Sequence, residues 1–253
     1  MKKIVIMPGG FHPFHAGHFA LYQSAKKAFP DADVYVAATN DQSERPFPFE
    51  LKEKLAKLAG VDPNRFVQVK SPFMPKEITQ NYDPENDIVI FVRSEKDRNE
   101  QPKPGGTKKD GSPAYFQPYT DKDLQPFGKH AYMDYLPTVE FGPGITSATQ
   151  IRKAWPTMDA KGKAELVASL YPSAANNNKL IQTVIKMFDQ VIGTSSVNED
   201  LKSLYAKIKP LINEASPAQK EKFFKLLESA KKKFEASKTV ENVSESADYL
   251  PEK

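Results

Sequence analysis

The chain has no cysteine among its 253 residues. This absence excludes disulfide bonds, thiol nucleophiles and zinc sites that use cysteine ligands. The chain also lacks any block of five charges of one sign, and its formal net charge at pH 7 is +4. Because so mild a balance gives no electrostatic basis for binding nucleic acid, we expect no nucleic-acid partner.

Long hydrophobic runs are missing as well. The apolar stretch near the N-terminus breaks at Pro8-Gly9-Gly10, far short of a signal-peptide core or a membrane span. We therefore expect a soluble, cytoplasmic protein with no membrane partner. What the chain does contain is 39% hydrophobic residues, enough to bury the core of one large domain or of one domain with an appendage.

Short apolar segments alternate with helical patterns through the first half of the chain. One predicted helix follows His18, and another covers Leu51 to Leu58. Strands that are apolar throughout and separated by helices are typical of a parallel sheet with helices on both faces. We therefore predict an α/β fold, with ligands at the carboxyl ends of the strands. The predicted strands are Ile4 to Met7, Val34 to Ala38, Phe66 to Val69, Ile88 to Val92, Tyr132 to Leu136 and Thr138 to Phe141.

The remainder of the chain is organised differently. Residues 94–130 are rich in proline, glycine and charge, and their aromatic residues favour a loop insertion that covers a substrate over plain disorder. Residues 1–193, which include a helical apolar stripe before Gly193, are predicted to form the main domain. Residues 194–236 carry two more helical stripes and form a helical C-terminal extension, through which the chain can form a homo-oligomer, and residues 237–253 form a polar tail.

The densest group of chemically informative residues joins the first strand to the first helix. It runs Gly9-Gly10-Phe11-His12-Pro13-Phe14-His15-Ala16-Gly17-His18. A helix N-terminus presents unpaired N–H groups and the positive end of the helix dipole, and glycines let a phosphorylated ligand approach the backbone. His15 and His18 add two hydrogen-bond donors. The segment therefore predicts a phosphate site.

A zinc site is the alternative for the same segment. His12, His15 and His18 recur at every third position, and imidazole is a good zinc ligand. We favour the phosphate site because the glycines serve a phosphate and not a metal. We therefore assign no residue as a metal ligand.

The pattern G-x-F-x-P-x-H-x-G-H resembles the first signature of the HxGH nucleotidyltransferases. That superfamily includes nicotinamide-mononucleotide and phosphopantetheine adenylyltransferases and glycerol-phosphate cytidylyltransferases. Residues 147–152, with the sequence Ser-Ala-Thr-Gln-Ile-Arg, are similar to its second signature, S-[SGA]-T-x-[IM]-R. The two segments occur in the expected order, about 130 residues apart. The long insertion resembles that of members carried by large tailed phages, which would place the protein in a host cytoplasm.

The resemblance implies a Rossmann-like sheet and a nucleotidyl transfer. An acceptor phosphate oxygen attacks the α-phosphorus of a nucleoside triphosphate, pyrophosphate leaves, and Mg²⁺ is the cofactor. The partners are thus a nucleoside triphosphate and a phosphorylated small molecule. The implied catalytic residues are His15, His18 and Arg152, and the implied nucleotide-binding residues are Gly9, Gly10, Phe11, His12, Gly17, Ser94, Asp97, Ser147 and Thr149.

The same resemblance ranks the substrates. ATP is favoured over CTP as donor, because the cytidylyl members more often carry an R-x-x-G-I-S-T form at the second signature. Nicotinamide mononucleotide, which would give NAD, is the first choice of acceptor. The sequence of the first signature is most similar to that of the nicotinamide-mononucleotide adenylyltransferases. One alternative is a cytidylyltransferase that acts on a polyol or sugar phosphate, and another is a non-catalytic nucleotide-binding or assembly protein.

Several of these residues also have a structural explanation. Ser147 fits a helix N-cap, and an arginine near a helix start, such as Arg152, is often a solvated surface residue. Ser94 and Asp97 lie in a charged loop that matches a glycine-serine-aspartate segment only in part. Lys52 is expected to be an exposed lysine on the second predicted helix.

Overall fold

The computed structural model describes residues 1–42, 45–137, 145 and 147–193, with 216, 219–221 and 225 beyond them. The chain divides into two compact units, Met1–Ser196 and Val197–Lys253. Apart from those five positions, the predicted extension 194–236 and tail 237–253 lie outside the described residues, as does the predicted strand 138–141. The boundary near Gly193 and an oligomer formed through the extension therefore stay predictions.

Within the described residues, six strands form one sheet in which every pairing is parallel. The strands are β1 (Lys3–Gly9), β2 (Asp33–Ala38), β3 (Phe66–Gln68), β4 (Ile88–Ser94), β5 (Phe116–Pro118) and β6 (Ala131–Leu136). Their spatial order is β3-β2-β1-β4-β6-β5, so the order along the chain reverses between β1 and β4. In open parallel sheets a crevice for ligands forms at such a reversal, outside the carboxyl ends of the strands. The predicted Rossmann-like sheet is confirmed.

The helices of the described part are α1 (Ala16–Ala28), α2 (Phe49–Ala59), α3 (Lys76–Thr79), α4 (Ala148–Ala154) and α5 (Ala160–Leu170), followed by α6 over residues 178–193. The sequence predicts α1, α2, α4 and α6 but not the short α3 or α5. It also places the start of α1 after His18, whereas the helix begins at Ala16 because the ring of His15 caps it. Among the described helices, none combines the length and apolar character that a membrane crossing requires.

The two faces of the sheet are covered differently. Alternate side chains of each strand point to opposite faces, which explains why the strands are apolar throughout. On one face Val5 and Met7 pack in a cluster with residues of α1, α2, α5 and α6, among them the fully buried Phe188. On the other face Ile4 and Ile6 pack in a cluster with Ile78 of α3 and with residues of the connecting segments, such as Val69 and Phe73.

The insertion at residues 94–130 differs from the prediction. It was expected to be a loop, but part of it is a strand. It contains β5, which pairs with β6 at the edge of the sheet. Its aromatic residues pack onto the protein: the ring of Phe116 lies 5.5 Å from that of Phe91, and the ring of Tyr119 lies 5.3 Å from that of Phe29. Burial of these rings provides the apolar area that holds the segment against the sheet.

Candidate active site

A cleft with a volume of about 450 Å³ lies at the carboxyl ends of β1 and β4. The loop between β1 and α1 forms one wall, and the start of the insertion and the start of α4 form others. Eight of the residues predicted from the sequence line this cleft together: Gly9, Gly10, Phe11, His12, His18, Asp97, Thr149 and Arg152. The fold thus brings the two signature segments to one place.

Four predicted residues do not line the cleft. His15 lies beneath His18 with 3% of its surface exposed, and Ser94 is likewise buried at the end of β4. Gly17 lies in the first turn of α1. Ser147 is the N-cap of α4, where its Oγ accepts a hydrogen bond from the backbone N–H of Gln150 at 3.2 Å. Its role as an N-cap is enough to explain why Ser147 stands at this position.

His15 and His18 are joined by reciprocal hydrogen bonds at the start of α1. The backbone N–H of His18 donates to Nδ1 of His15 at 3.4 Å, and the backbone N–H of His15 donates to Nδ1 of His18 at 3.3 Å. The two rings stack with their centroids 3.7 Å apart. This pair is a capping box built from imidazoles, and it satisfies two N–H groups that a helix start would leave unpaired.

The capping hydrogen bonds also fix the protonation of both rings. Because each Nδ1 accepts a hydrogen bond, a neutral ring carries its proton on Nε2. Burial, and to a lesser extent the nearby charge of Lys96, lowers the pKa of His18 to about 3. Burial, His18 and Lys96 hold the pKa of His15 well below its ordinary value of 6.5. At neutral pH both rings are therefore uncharged, with Nε2–H as the donor.

The loop is tightly packed around Gly9 and Gly10. A Cβ on Gly9 would lie 2.8 Å from the ring of Phe11, and a Cβ on Gly10 would lie 3.1 Å from the ring of His12. Phe11 has a φ of +52°, a left-handed conformation that is strained for a residue with a side chain. The glycines thus make room for neighbouring side chains of their own loop, a reason that the sequence analysis did not anticipate.

Arg152 connects the two signature segments. Its Nη1 donates to the carbonyl oxygen of His12 at 2.5 Å, and its Nη2 donates to Oγ1 of Thr149 at 3.2 Å. Burial of the neighbouring Ile151 in the core directs Arg152 towards the cleft from the same short helix. Arg152 is therefore not a solvated surface residue.

Lys52 is buried, so the prediction from the sequence that it would be exposed is wrong. Its side chain is fully buried, and its Nζ lies 2.9 Å from Nε2 of His12 and donates to the carbonyl oxygen of Thr39 at 2.7 Å. The backbone N–H of Phe47 donates to the other ring nitrogen of His12 at 3.3 Å. A signal did exist in the sequence, because Phe49, Lys52 and Ala56 recur at helical spacing on one buried face of α2.

Three cationic residues of this region were not singled out as functional from the sequence. Arg45 and Arg93 line the cleft, and Lys96 is close enough to affect both histidines of the capping box. Arg93 is largely buried, pairs with Glu100 at 2.9 Å and lies over the ring of Phe73. These residues lie at strand ends and in loops, where no periodicity marks their direction.

The zinc alternative does not form. In the part of the chain that the structure describes, no group of three or more His, Cys, Asp or Glu side chains could hold a metal ion. The Nδ1 atoms of His12, His15 and His18 all accept backbone N–H groups. The three rings are thus used by the loop itself.

Comparison with known proteins finds matches for part of the chain, including the loop that carries the first signature. Residues 6–102 match the family described as Cytidylyltransferase-like. The chain is also 38% identical over 81 residues to the phosphopantetheine adenylyltransferases of Lacticaseibacillus casei (strain BL23) and Lacticaseibacillus paracasei (strain ATCC 334). These alignments cover 32% of this chain and 46% of either relative. The chain therefore spans less than half the length of the curated relatives it matches.

One solved structure is similar over a longer stretch at lower identity. It is a bifunctional NMN adenylyltransferase/ADP ribose pyrophosphatase from Francisella tularensis, complexed with AMP and a manganese ion, with 16% identity and a TM-score of 0.46. The similarity covers 85% of this chain and 57% of that protein. The family match and the curated relatives bear out the resemblance at the first signature: residues 6–102, which contain it, match the Cytidylyltransferase-like family, and the relatives are named adenylyltransferases.

Proposed function

We propose that this protein is a nucleotidyltransferase that joins a nucleoside triphosphate, ATP in the first instance, to a phosphorylated small molecule and releases pyrophosphate. The observation that carries the proposal is the hydrogen bond between Arg152 and the carbonyl oxygen of His12. This contact places a guanidinium from the second signature against the loop of the first, in a cleft that His18 also lines.

The charges of the cleft suit a triphosphate. Arg45, Arg93 and Arg152 line it, whereas the carboxylates of its described lining are Asp97 and Glu100. Arg93 pairs with Glu100, which leaves Arg45 and Arg152 as the cations for phosphate oxygens. Hydrogen bonds between a guanidinium and phosphate oxygens are charge-assisted and therefore stronger than neutral ones.

The uncharged histidines supply donors and not a base. In the reaction, an oxygen of the acceptor phosphate attacks the α-phosphorus in line and forms a new P–O bond. The bond between the α-phosphorus and the oxygen that bridges it to the β-phosphorus breaks, and pyrophosphate leaves. Nε2–H of His18 is suited to donate to an oxygen of the α-phosphate, where negative charge is held during transfer. His15 fixes the position of His18 from below. Catalysis would then rest on positioning and charge stabilisation, with no covalent intermediate.

A Mg²⁺ ion fits this arrangement. Magnesium in such sites is bound by one or two carboxylates together with phosphate oxygens. Asp97 lines the cleft and is the carboxylate that would hold the ion, since Glu100 pairs with Arg93. When bound, the ion neutralises charge on the triphosphate.

The order of substrates is part of the proposal. ATP is supported by the relatives, which are named adenylyltransferases, and CTP is second because the matching family is described as Cytidylyltransferase-like. Nicotinamide mononucleotide remains the first acceptor to test, followed by phosphopantetheine, the substrate in the relatives' name. A cytoplasmic location, an oligomer formed through residues 194–236 and the absence of a nucleic-acid partner belong to the same proposal.

The test is Mg²⁺-dependent release of pyrophosphate. ATP and CTP are each assayed with nicotinamide mononucleotide, phosphopantetheine, flavin mononucleotide, and polyol and sugar phosphates. His18→Ala is compared with the matched variant His130→Ala, whose histidine is not among the residues that line the cleft. We expect one pair of substrates to turn over, with a loss of about 10²- to 10³-fold in His18→Ala and little change in His130→Ala.

Two results would contradict the proposal. Equal activity in His18→Ala and the unaltered protein would remove the histidine motif from catalysis. Binding of ATP or CTP without turnover of any pair would favour a non-catalytic nucleotide-binding protein.

A further inference from the structure

A lysine is buried behind the cleft and has no ion-pair partner among the described residues. The side chain of Lys52 is 0% exposed, and none of the ion pairs among the described residues includes it. Its Nζ instead contacts Nε2 of His12 at 2.9 Å and the carbonyl oxygen of Thr39 at 2.7 Å. A buried ammonium is strongly disfavoured unless a carboxylate compensates it.

The contacts of His12 decide where the protons lie. Its Nδ1 accepts the backbone N–H of Phe47, so a neutral ring must carry its proton on Nε2. That proton then points at Nζ of Lys52, 2.9 Å away. Two donors cannot share this contact, so in this tautomer Nζ of Lys52 accepts it as an uncharged amine while it donates to Thr39.

Burial and the charges around the pair lower the proton affinity of Lys52, which is a shift in the same direction. Burial and then the charge of Arg45 lower the pKa of Lys52 to about 8, and Asp41 opposes this shift. Burial and then Lys52, Arg45 and Arg152 lower the pKa of His12 to about 3, again opposed by Asp41. Arg45 lines the cleft, so a triphosphate bound there would neutralise the charge that disfavours a proton on Lys52.

We propose that Lys52 is a proton-accepting positioning residue of the nucleotide site: in the free protein at alkaline pH it is an uncharged amine hydrogen-bonded to His12, and it takes up one proton from solvent when a nucleoside triphosphate enters the cleft. This inference rests on the proposed function, since it requires the triphosphate to bind beside Arg45 and Arg152. Lys52 acts through His12, whose carbonyl oxygen in turn holds Arg152.

Charging of Lys52 changes the hydrogen bonds of His12. An ammonium can only donate, so Nε2 of His12 becomes an acceptor and the ring proton moves to Nδ1. The N–H of Phe47 then loses its acceptor in the buried loop before α2. Binding of the phosphates is thereby linked to the loop that carries both Phe47 and Arg45.

Two measurements on the full chain test the proposal. Histidine ¹⁵N NMR on the free protein at pH 9 reads the tautomer of His12, which we expect to be Nε2–H and to become Nδ1–H when ATP is added. Calorimetry of ATP binding without acceptor, in two buffers of different ionisation enthalpy, counts the protons taken up. We expect uptake to rise from near zero at pH 7 towards about one proton per ATP at pH 9, with ATP affinity falling about tenfold per pH unit above that.

Variants distinguish this role from a merely structural one. Lys52→Arg keeps a permanent cation, and His12→Asp pairs with Lys52 and keeps it charged, so both variants should bind ATP without proton uptake and with a flat pH profile. The unaltered protein by itself can refute the inference: at pH 9, ATP binding with no proton uptake, or an Nδ1–H tautomer of His12 in the free protein, overturns the inference alone. Failure of the unaltered protein to bind ATP or CTP overturns the proposed function and the inference with it.

Discussion

Arg152 donates a hydrogen bond from Nη1 to the carbonyl oxygen of His12, 2.5 Å away in space and 140 positions earlier in the chain. The same histidine contacts Lys52 through its ring. The two signature segments are therefore one hydrogen-bonded unit, and a change in either is expected to displace the other. Five predictions test this unit and the fold that supports it.

Arg152→Ala is expected to lower kcat/KM for pyrophosphate release by about 10²- to 10³-fold, because both the phosphate contact and the support of the His12 loop are lost. Arg152→Lys should recover only part of the loss, since an ammonium cannot bridge His12 and Thr149 as the guanidinium does. Arg65→Ala, which removes an ion pair with Asp33 outside the lining of the cleft, is the matched control. Similar rates in Arg152→Ala and Arg65→Ala would refute this role.

Acid should destabilise the protein through its buried histidines. The pKa of His18 is about 3 in the folded protein against 6.5 ordinarily, so the unfolded chain takes up a proton first as the pH falls. The free energy of unfolding should therefore drop between pH 6.5 and 3, and His18→Gln should reduce that slope by as much as about 1.4 kcal/mol per pH unit. Urea unfolding at several pH values measures this pH dependence. Equal slopes in His18→Gln and the unaltered protein would show that His18 is not buried in its uncharged form.

Lys52→Met should change stability in a manner that depends on pH. The pKa of Lys52 is about 8 in the folded protein and 10.5 ordinarily, so below pH 8 folding buries a charge that the unfolded chain keeps in water. As the pH rises from 8 to 10.5 the folded state binds fewer protons than the unfolded state, and the unaltered protein gains stability that Lys52→Met does not. Any advantage of the variant should thus shrink over this window. A constant difference from pH 7 to 10 would argue against the lowered pKa.

Phe188→Ala should lower the free energy of unfolding by about 3–5 kcal/mol, the range for deleting a buried phenylalanine ring. Phe188 is fully buried, and its ring lies 4.7 Å from that of Trp155 and 5.4 Å from that of Phe47. Lys186→Ala on the exposed side of the same helix should change stability by less than about 0.5 kcal/mol. Denaturant midpoints give both values, and comparable losses would mean that α6 does not support the core.

A chain that ends at Gly193 should keep the pyrophosphate-releasing activity proposed above. The described core is complete by Ile192, and α6 supplies Val184 and Phe188 to it. A chain that ends at Asn177 lacks α6 and should fail to fold, which makes it the matched control. Light scattering on the first truncation tests whether residues beyond 193 set the oligomeric state. Loss of turnover with an intact fold would show that the extension contributes to the site.

Local patterns predicted most of the sheet and part of the helical layer. Apolar runs marked five of the six described strands, because a strand buried on both faces must be apolar throughout. The short β5 was missed, since its pairing at the edge depends on Phe116 packing against Phe91 from a distant strand. Helices α3 and α5 were also missed, although Asp159 caps α5 by accepting a hydrogen bond from the backbone N–H of Gly162.

The sequence by itself determined the strands β1 to β4 and β6, the presence of a helix directly after the histidine motif, and eight of the residues that meet in the cleft. These features follow from apolar periodicity, glycine placement and capping, all of which act within a few residues. Only the tertiary structure decided that Lys52 is buried against His12 and that Arg152 holds the same loop. The charge and hydrogen bonding of a polar side chain depend on which distant groups surround it, and that is fixed when the elements pack together.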